Sequence, residues 1–359
     1  MTGERPSQAA NIEFRQVGRP LPRTDAPGKV FGATRYAGDY VMPDMLHALV
    51  LRSPLASARL KRLDVSKARA LQGVACVLTG ADLPNQKVAS DIPGQTGKKR
   101  LATDHQILVK EQVRHHGESL ALVAAETLDI AEKALELIEC ELEPLPGVYD
   151  PLAALEPGAP LVQGTDNVVS RYKIRKGDVE KGFSQADRVI ENSYRTQFIE
   201  HAFLEPEVGL AWVDENEVVN IRMSTQVIEH FRFIAEALGL PHNKVRIMGS
   251  LIGGGFGGKE DITVEVYLAL LAVATRRPVR MALAREDSFF NHGKRHPFCL
   301  TYRTGVTREG KITALSVTMT ADAGAYVFLS PYVLLYAIVA SPGPYRVDNL
   351  SVDAQAVAT

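Results

Sequence analysis

Short apolar runs that end at turn-forming residues predict a series of strands in the first half of the chain. These runs are Leu46–Arg52, Arg59–Asp64 and Val74–Leu78. Ser119–Ala125 is apolar throughout, which is typical of a strand with both faces buried. Apolar residues then recur at helical spacing from Ala131 to Ile138, and Thr127 is placed to cap that helix.

The second half mixes hairpins with helices. Its predicted strands are Val208–Val213, Glu217–Met223, Val245–Met248, Val279–Ala284, Leu300–Val306 and Ile312–Thr320. Its predicted helices are Ile228–Leu238, which ends at Gly239, and Ile262–Thr275. Because strands and helices mix without strict alternation, the pattern predicts an α+β fold.

A proline-rich stretch suggests where the chain divides. Five prolines lie between Pro144 and Pro160, which indicates an extended connection. We therefore predict a tail over 1–24, a first domain over 25–150, a linker over 151–165 and a second domain over 166–359.

Composition narrows the function classes. The 359 residues include 41 Lys+Arg and 42 Asp+Glu, so the net charge is −1. This balance does not indicate binding to nucleic acid or to an anionic membrane. We find no run near the roughly 18 apolar residues of a spanning helix and no leader in residues 1–14, and expect a cytoplasmic protein. Cys76, Cys140 and Cys299 are far apart, which argues against an iron–sulfur cluster on this chain; we expect them buried as small hydrophobes.

The densest chemical signal is the loop Gly253-Gly254-Gly255-Phe256-Gly257-Gly258-Lys259-Glu260, between a predicted strand and a predicted helix. Its glycines permit positive φ and let a ligand approach the main chain. The helix start would add free N–H groups and the positive end of its dipole. The loop therefore predicts a cradle for an anion or an oxo group; the alternative is a tight strand-to-helix turn.

Two nucleotide-binding motifs nearly match this loop. Gly253-x-Gly255-x-x-Gly258 fits the dinucleotide fingerprint, but Pro278-Val279-Arg280 stands where an acidic ribose ligand is expected about 20 residues on. The loop also fits the phosphate-binding motif as far as Lys259, where Glu260 replaces the Ser/Thr that holds magnesium. An NTPase is disfavoured, and a dinucleotide-binding oxidoreductase stays a minor alternative.

Several stretches form an ordered combination that is more specific than any one of them. They are Asp25-Ala26-Pro27-Gly28-Lys29-Val30, Arg52-Ser53-Pro54, Glu143-Pro144-Leu145-Pro146, Ser224-Thr225-Gln226, the glycine loop through Glu260, Arg295-His296-Pro297-Phe298 and Asp322-Ala323-Gly324-Ala325-Tyr326. From about residue 20 onward the chain resembles the molybdenum-cofactor subunit of the xanthine dehydrogenase and aldehyde oxidase family of molybdenum hydroxylases. The resemblance implies an α/β-hammerhead domain followed by the first molybdopterin-binding domain.

The resemblance also implies roles for residues of the loop. Gln226 would lie beside the molybdenum and bond to an oxo or hydroxyl ligand, and Glu260 would face the substrate. The Phe256 N–H would contact the apical oxo group. The implied cofactor contacts of the loop are Gly254, Gly255, Phe256 and Gly257. The pterin dithiolene would hold the metal, so no direct protein ligand is expected.

Each of these residues also has a structural interpretation. Gln226 could bond near the start of the helix that follows it. Glu260 and Asp261 could be acids of a helix's first turn, where the helix dipole favours them. His296 before Pro297 is interpreted as a structural hydrogen-bonding residue, since a single histidine is not a metal site.

The implied reaction adds a water-derived oxygen to an N-heterocycle or aldehyde, with electrons leaving through [2Fe-2S] and FAD subunits. Family members of full length continue beyond the position of Thr359 with further pterin contacts and the carboxylate base. We therefore expect no catalytic base here and a second molybdopterin-binding chain as partner. Tyr336 replaces an arginine of the purine enzymes, which disfavours a purine substrate. The alternative is a cofactor-free scaffold or binding subunit.

Overall fold

The computed structural model describes residues 14–83, 87–88, 105–164 and 166–359. These residues fall into two units, 14–35 and 36–359. The first unit contains one short helix, Ala26–Val30 (α1). Residues 1–13 of the predicted tail and Thr165 of the predicted linker lie outside the described residues.

The second unit mixes strands and helices, as the predicted α+β class requires. Its strands are Leu46–Arg52 (β1), Ala58–Asp64 (β2), Val74–Thr79 (β3), Lys87–Val88 (β4), His105–Gln106 (β5), Gln112–Val113 (β6), Ser119–Ala125 (β7), Glu139–Pro144 (β8), Val168–Lys176 (β9), Arg188–Arg195 (β10), Val208–Val213 (β11), Val219–Met223 (β12), Val245–Gly249 (β13), Val279–Ala282 (β14), Phe298–Val306 (β15), Ile312–Asp322 (β16) and Leu350–Val357 (β17). Its α-helices are Ser66–Ala70 (α2), Leu128–Glu136 (α3), Val179–Ser184 (α4), Phe231–Leu238 (α5), Glu265–Thr275 (α6), Arg285–Asn291 (α7) and Ser330–Ala340 (α8). Short 3-10 helices occupy Ala37–Asp39, Ala153–Leu155, Ile228–His230 and His242–Lys244.

One seven-stranded sheet takes strands from both halves of the sequence. Its order is β13-β12-β11-β14-β1-β7-β3. The two halves join where β1 pairs with β14 in parallel, with Leu46 opposite Val279. The predicted boundary at 151–165 therefore separates segments that share one sheet, and the domain bounds themselves stay a prediction.

Helix α6 packs against this sheet, mainly on β11 and β12. Its residues from Val266 to Ala272 are all buried, which explains why its sequence has no polar face. The helix ends where Arg276 adopts the left-handed conformation, with φ +56°, two residues before Pro278.

A second sheet is formed by strands from the second half of the chain. It has the order β10-β15-β16-β17-β9, and α8 packs against β17 and β9 through Leu334 and Ile338. A smaller sheet, β6-β2-β8, belongs to the first half. None of the helices in the described part of the chain has the length and apolar character needed to cross a bilayer.

Local signals predicted several element ends correctly. The Thr127 hydroxyl accepts the Ile130 N–H at 3.3 Å and caps α3, and Gly239 ends α5 with φ +67°. The predicted start of α6 at Ile262 is wrong, because the helix begins at Glu265. The Glu265 carboxylate accepts the Thr263 N–H at 2.7 Å, which holds the preceding residues in a turn.

The prediction that the cysteines are buried is also wrong. Cys140 is exposed, and Cys76 and Cys299 are only partly buried. Cys140 lies on β8, an outer strand of the small three-stranded sheet, where five of the six residues are exposed. Position on an outer strand therefore decides its exposure, against the usual tendency of free cysteine to be buried.

Candidate functional site

The glycine loop connects β13 to α6 and turns through the left-handed region of backbone conformation. Gly254, Phe256 and Gly257 have φ values of +103°, +53° and +94°. The Gly258 N–H donates to the Gly255 carbonyl at 2.8 Å, which closes a tight turn around Phe256. A side chain at Gly254 or Gly257 would be strained, so glycine is required at both positions.

Other glycines of the loop are required by close packing against the protein itself. A Cβ at Gly253 would lie 2.5 Å from the Glu205 Cβ, and one at Gly258 would lie 2.8 Å from the Phe203 ring. A Cβ at Gly255 would lie 2.3 Å from Gln226 Oε1. The glycines therefore let the loop lie directly on the segment before β11 and on Gln226.

Gln226 follows β12 and is bonded to the loop by four hydrogen bonds. Its N–H donates to the Lys259 carbonyl at 2.9 Å, and its Oε1 accepts the N–H groups of Gly257 at 3.1 Å and Lys259 at 3.3 Å. Its Nε2 donates to Glu260 Oε1 at 3.4 Å. The amide oxygen is thus turned to the main chain of the loop and the amide nitrogen to the Glu260 side chain.

The structure therefore brings the predicted site residues together: the loop residues are adjacent, and the Gln226 side chain is hydrogen-bonded to them. Gln226 does not cap the helix after it: Val227 is the N-cap of that helix, and no side chain caps it. Glu260 is also not in the first turn of α6, because that helix begins at Glu265. The helix start likewise does not follow the loop directly, so the predicted contribution of its N–H groups to the cradle is wrong.

Phe256 lies at the exposed tip of the loop. Its residue is 76% exposed, and no hydrogen bond within the described residues uses its N–H. Left-handed backbone in a bulky residue carries strain of about 1–3 kcal/mol, which the turn around it must hold. This main-chain donor therefore has no partner among the described residues.

The side chain of Lys259 turns inward. In the sequence this residue stood out only as part of a near match to a phosphate-binding motif. Its side chain is fully buried, and its ammonium donates to the Glu205 carbonyl at 2.8 Å and to Glu205 Oε2 at 3.0 Å. Burial lowers the pKa of Lys259, and the charge of Glu205 opposes that shift. Lys259 is thus not offered to a phosphate.

A second buried polar group lies next to the loop and was missed from the sequence. His292 Nδ1 bonds Glu207 Oε1 at 2.7 Å, and its Nε2 bonds Glu200 Oε1 at 2.9 Å. Burial alone would raise the pKa of Glu207, but the hydrogen bond and charge of His292 lower it. Three glutamates and a histidine within Glu200–Glu207 were the available signal, although only Glu207 among these four is buried.

This histidine cluster has some features of a metal site. Donor atoms of Glu200, His201 and His292 all lie within 4.8 Å of one another. Lys294 is already paired with Glu200 at 2.7 Å, and its positive charge opposes a cation there. We therefore interpret the cluster as a structural polar network and not as a metal centre. As predicted, His296 is a hydrogen-bonding residue, with Nε2 2.8 Å from Ser330 Oγ.

Comparison with known protein families finds a match for each half of the chain. Residues 162–359 match the molybdopterin cofactor-binding domain, and residues 31–146 match the a/b hammerhead domain of aldehyde oxidase and xanthine dehydrogenase. This chain belongs to the aldehyde oxidase and xanthine dehydrogenase family of molybdenum hydroxylases. The predicted family and the predicted order of a hammerhead and a molybdopterin-binding domain are confirmed.

Individual members of the xanthine dehydrogenase family align over nearly the whole chain. The nicotinate dehydrogenase large molybdopterin subunit of Eubacterium barkeri is 38% identical over 97% of this chain and 80% of its own length. A probable xanthine dehydrogenase subunit of Bacillus subtilis is 36% identical over 94% of this chain but only 44% of its own length. The solved aldehyde oxidoreductase from Desulfovibrio gigas superposes with a TM-score of 0.90, at 28% identity, over 94% of this chain and 38% of that one. The chain thus spans most of the first relative and less than half of the other two.

A molybdopterin-type molybdenum cofactor fits the polar groups that this chain presents at the glycine loop. The N–H of Phe256, which has no partner among the described residues, and the second N–H of Gln226 Nε2 are donors, which suits a group that carries oxygen atoms. No thiolate or imidazole is needed from the chain if the pterin itself holds the metal. The geometry and the donor set are therefore compatible with the cofactor that the family binds.

Proposed function

We propose that the chain is the first half of the molybdopterin subunit of a hydroxylase that oxidises an N-heterocycle or an aldehyde with oxygen from water. The observation that carries the proposal is the group formed by Gln226, the glycine loop and Glu260, joined by hydrogen bonds of 3.1 to 3.4 Å. Family membership supports the same interpretation.

The chain's own groups divide into cofactor-facing and substrate-facing sets. With its oxygen held by Gly257 and Lys259 and one N–H of Nε2 bound by Glu260, Gln226 has the second N–H of Nε2 to donate to the cofactor. The N–H of Phe256 donates beside it, and Gly254, Gly255 and Gly257 shape the turn that presents both. When bound, the molybdenum cofactor supplies the two-electron redox centre for the hydroxylation.

Glu260 is the residue that we place against the substrate. Its carboxylate accepts from Gln226 Nε2 at 3.4 Å, so it lies next to the cofactor-facing donor. A carboxylate there can orient a ring N–H of a heterocycle by a charge-assisted hydrogen bond. We assign no general base to this chain and expect it on the partner.

The proposed assembly needs further chains. A second molybdopterin-binding chain would complete the site, and [2Fe-2S] and FAD subunits would carry electrons away. The 80% coverage of a relative named as a large molybdopterin subunit, against 44% of the Bacillus relative, supports a divided subunit. The three widely spaced cysteines support placing the iron–sulfur clusters on another chain.

Native purification tests this assembly. Subunits would be identified by mass spectrometry, and molybdenum would be quantified in the same fraction. We expect a second pterin-binding subunit, an iron–sulfur subunit, a flavin subunit and near-stoichiometric molybdenum. A chain that arrives alone and metal-free would contradict the proposal and favour a cofactor-free scaffold. Stoichiometric cofactor on the isolated chain would contradict the divided site.

The dinucleotide alternative is tested separately by thermal shift with NAD. Dinucleotide sites place the pyrophosphate on a helix start directly after the glycines. Here α6 begins only at Glu265, after a turn that follows Gly258. We therefore expect no shift with NAD; saturable stabilisation would revive that alternative.

A further inference from the structure

The ammonium group of Lys259 is bound at three points inside the protein. It donates to the carbonyl of Glu205 at 2.8 Å, to Glu205 Oε2 at 3.0 Å and to Ser224 Oγ at 2.5 Å. The ring of Phe203 lies against it, with its centroid 4.5 Å from Nζ. Because an ammonium has three N–H groups, its bonding capacity is filled by the protein.

The partner of Lys259 also holds the opposite end of the glycine loop. Glu205 Oε2 accepts the N–H of Gly253 at 2.8 Å, and the Glu205 N–H donates to the Gly253 carbonyl at 3.2 Å. The first glycine and the lysine that follows the last glycine are therefore tied to one residue. A change in this ion pair would move both ends of the loop.

The main chain of Lys259 in turn determines where Gln226 lies. Its N–H binds Gln226 Oε1 at 3.3 Å, and its carbonyl accepts the Gln226 N–H at 2.9 Å. Ser224, which binds the ammonium, lies two residues before Gln226 on the same segment. Side chain and main chain of Lys259 thus fix the same stretch of chain from two sides.

We propose that Lys259 and Glu205 are positioning residues that set the orientation of the Gln226 amide, with its oxygen on the N–H groups of Gly257 and Lys259 and its nitrogen toward Glu260. The consequence for catalysis rests on the proposed function, but the orientation itself is a property of this chain. Buried charges act in this way when removal of one partner leaves the other unpaired in a medium of low polarity.

Hydrogen exchange of the full chain tests the proposal without cofactor or substrate. The probe is the exchange rate of the Gly257 and Lys259 amides, whose N–H groups are bound by Gln226 Oε1. In Lys259→Met and Glu205→Gln we expect faster exchange at these amides, approaching that of Gln226→Ala, which lacks the acceptor. Ser224→Ala removes only one contact of the ammonium and is expected to give a smaller increase.

Lys294→Met is the matched control. Lys294 is also largely buried and paired with a glutamate, Glu200, at 2.7 Å, but it has no contact with Gln226 or the Gly253 N–H. We expect normal exchange at Gly257 and Lys259 in this variant. Equal acceleration in the control would overturn the proposal, because the effect would then follow from losing any buried lysine.

If Lys259→Met fails to fold, Ser224→Ala and Glu205→Gln decide the question. Unchanged exchange in both would overturn the proposal. Faster exchange at the two amides, with the rest of the chain protected, would support it. In the assembled enzyme the same variants should lower kcat with little change in KM. If the exchange result holds but the native complex lacks molybdenum, the positioning role stands and the proposed function fails.

Discussion

At the scale of single residues, the orientation of the Gln226 side-chain amide has the largest consequence. Gln226 offers an oxygen and a nitrogen, and the two N–H groups of the loop select the oxygen. A carboxylate in its place could accept the same bonds but could not donate outward. The amide therefore suits a position between N–H donors on one side and a ligand that accepts on the other.

Replacing Gln226 separates a catalytic from a structural role. In Gln226→Ala we expect turnover of the assembled enzyme to fall about 100-fold, the order seen when one preorganised donor is lost. Subunit association and molybdenum content should change little, because Gln226 is exposed in this chain. Steady-state kinetics and mass spectrometry of the complex measure both. Parallel loss of turnover and assembly would instead make Gln226 structural.

Gly255 tests how closely the loop must approach that amide. In Gly255→Ala the new Cβ would lie 2.3 Å from Gln226 Oε1, so the amide must move. We expect turnover to fall at least ~10-fold as the donor leaves its position. Gly249→Ala is the control, since its Cβ would meet nothing within 4 Å. Similar activity in the two variants would contradict the prediction.

Asp261 should make stability depend on pH. Burial raises its pKa from 3.8 to about 6, although the Gly293 N–H, bound at 2.9 Å, opposes the shift. Between these two values the folded state binds more protons than the unfolded state, so the free energy of unfolding falls as pH rises.

Asp261→Asn keeps the acceptor but removes the charge. Thermal unfolding of both proteins between pH 4 and pH 7 measures the effect, in the window set by the shift in pKa. The difference in Tm, variant minus wild type, should increase as pH rises toward 6. A constant difference across this range would mean that the carboxyl does not titrate differently on folding.

At the scale of elements, α6 shows how a tertiary contact sets a helix start. The apolar run begins at Ile262, and periodicity alone extends the helix to that residue. Glu265 is fully buried, and its carboxylate binds His230 Nδ1 at 2.7 Å as well as the Thr263 N–H. His230, in the short helix before α5, thus holds the Glu265 carboxylate in place. That carboxylate keeps residues 262–264 outside the helix.

Truncation within α6 should be costly. Leu268 is fully buried, and the absence of a side chain at Gly209 lets it lie against β11. Leu268→Ala is expected to lower the free energy of unfolding by about 2–5 kcal/mol, from lost burial and the cavity left behind. Leu128→Ala, at a residue 45% exposed, should cost less than about 1 kcal/mol. Denaturant titration compares them, and equal costs would argue against close packing beneath α6.

At the scale of the whole molecule, the sheet crosses the division that the prolines indicate. Strands β1, β7 and β3 come from the first half, and β14 pairs with β1 over Leu46–Ala48. The core on this sheet likewise mixes Leu46 and Leu122 with Leu268 and Leu271. Two halves that match different family domains thus share one core.

Separate expression of 36–150 and 151–359 tests this union. We expect neither fragment to unfold cooperatively by itself, because each would expose an unpaired strand edge and part of the shared core. Co-expression should restore a complex with the unfolding transition of the intact chain, measured by circular dichroism. A cooperative transition in 36–150 alone would show that the first half folds independently and would favour the predicted domain boundary.

The sequence was informative where one local signal decides the outcome. Ser119–Ala125 was predicted with its observed bounds, and Thr127 and Gly239 mark the predicted helix ends. The site residues stay a prediction from glycine density and the family pattern, and the structure brings them together at one loop. The sequence analysis missed Glu205, Glu207 and His292, because their roles depend on partners far away in the sequence.

The sequence by itself determined the α+β class and the loop from Gly253 to Glu260, because apolar period, capping residues and glycine density act over a few neighbouring residues. The family followed from the resemblance of its ordered motifs to those of known members. Only the tertiary structure decided that Lys259 turns inward to Glu205 and that the halves share a sheet. A lysine after a glycine loop can face a ligand or the interior. Which it does depends on whether packing brings a buried carboxylate to it, and that partner lies 54 residues earlier in the chain.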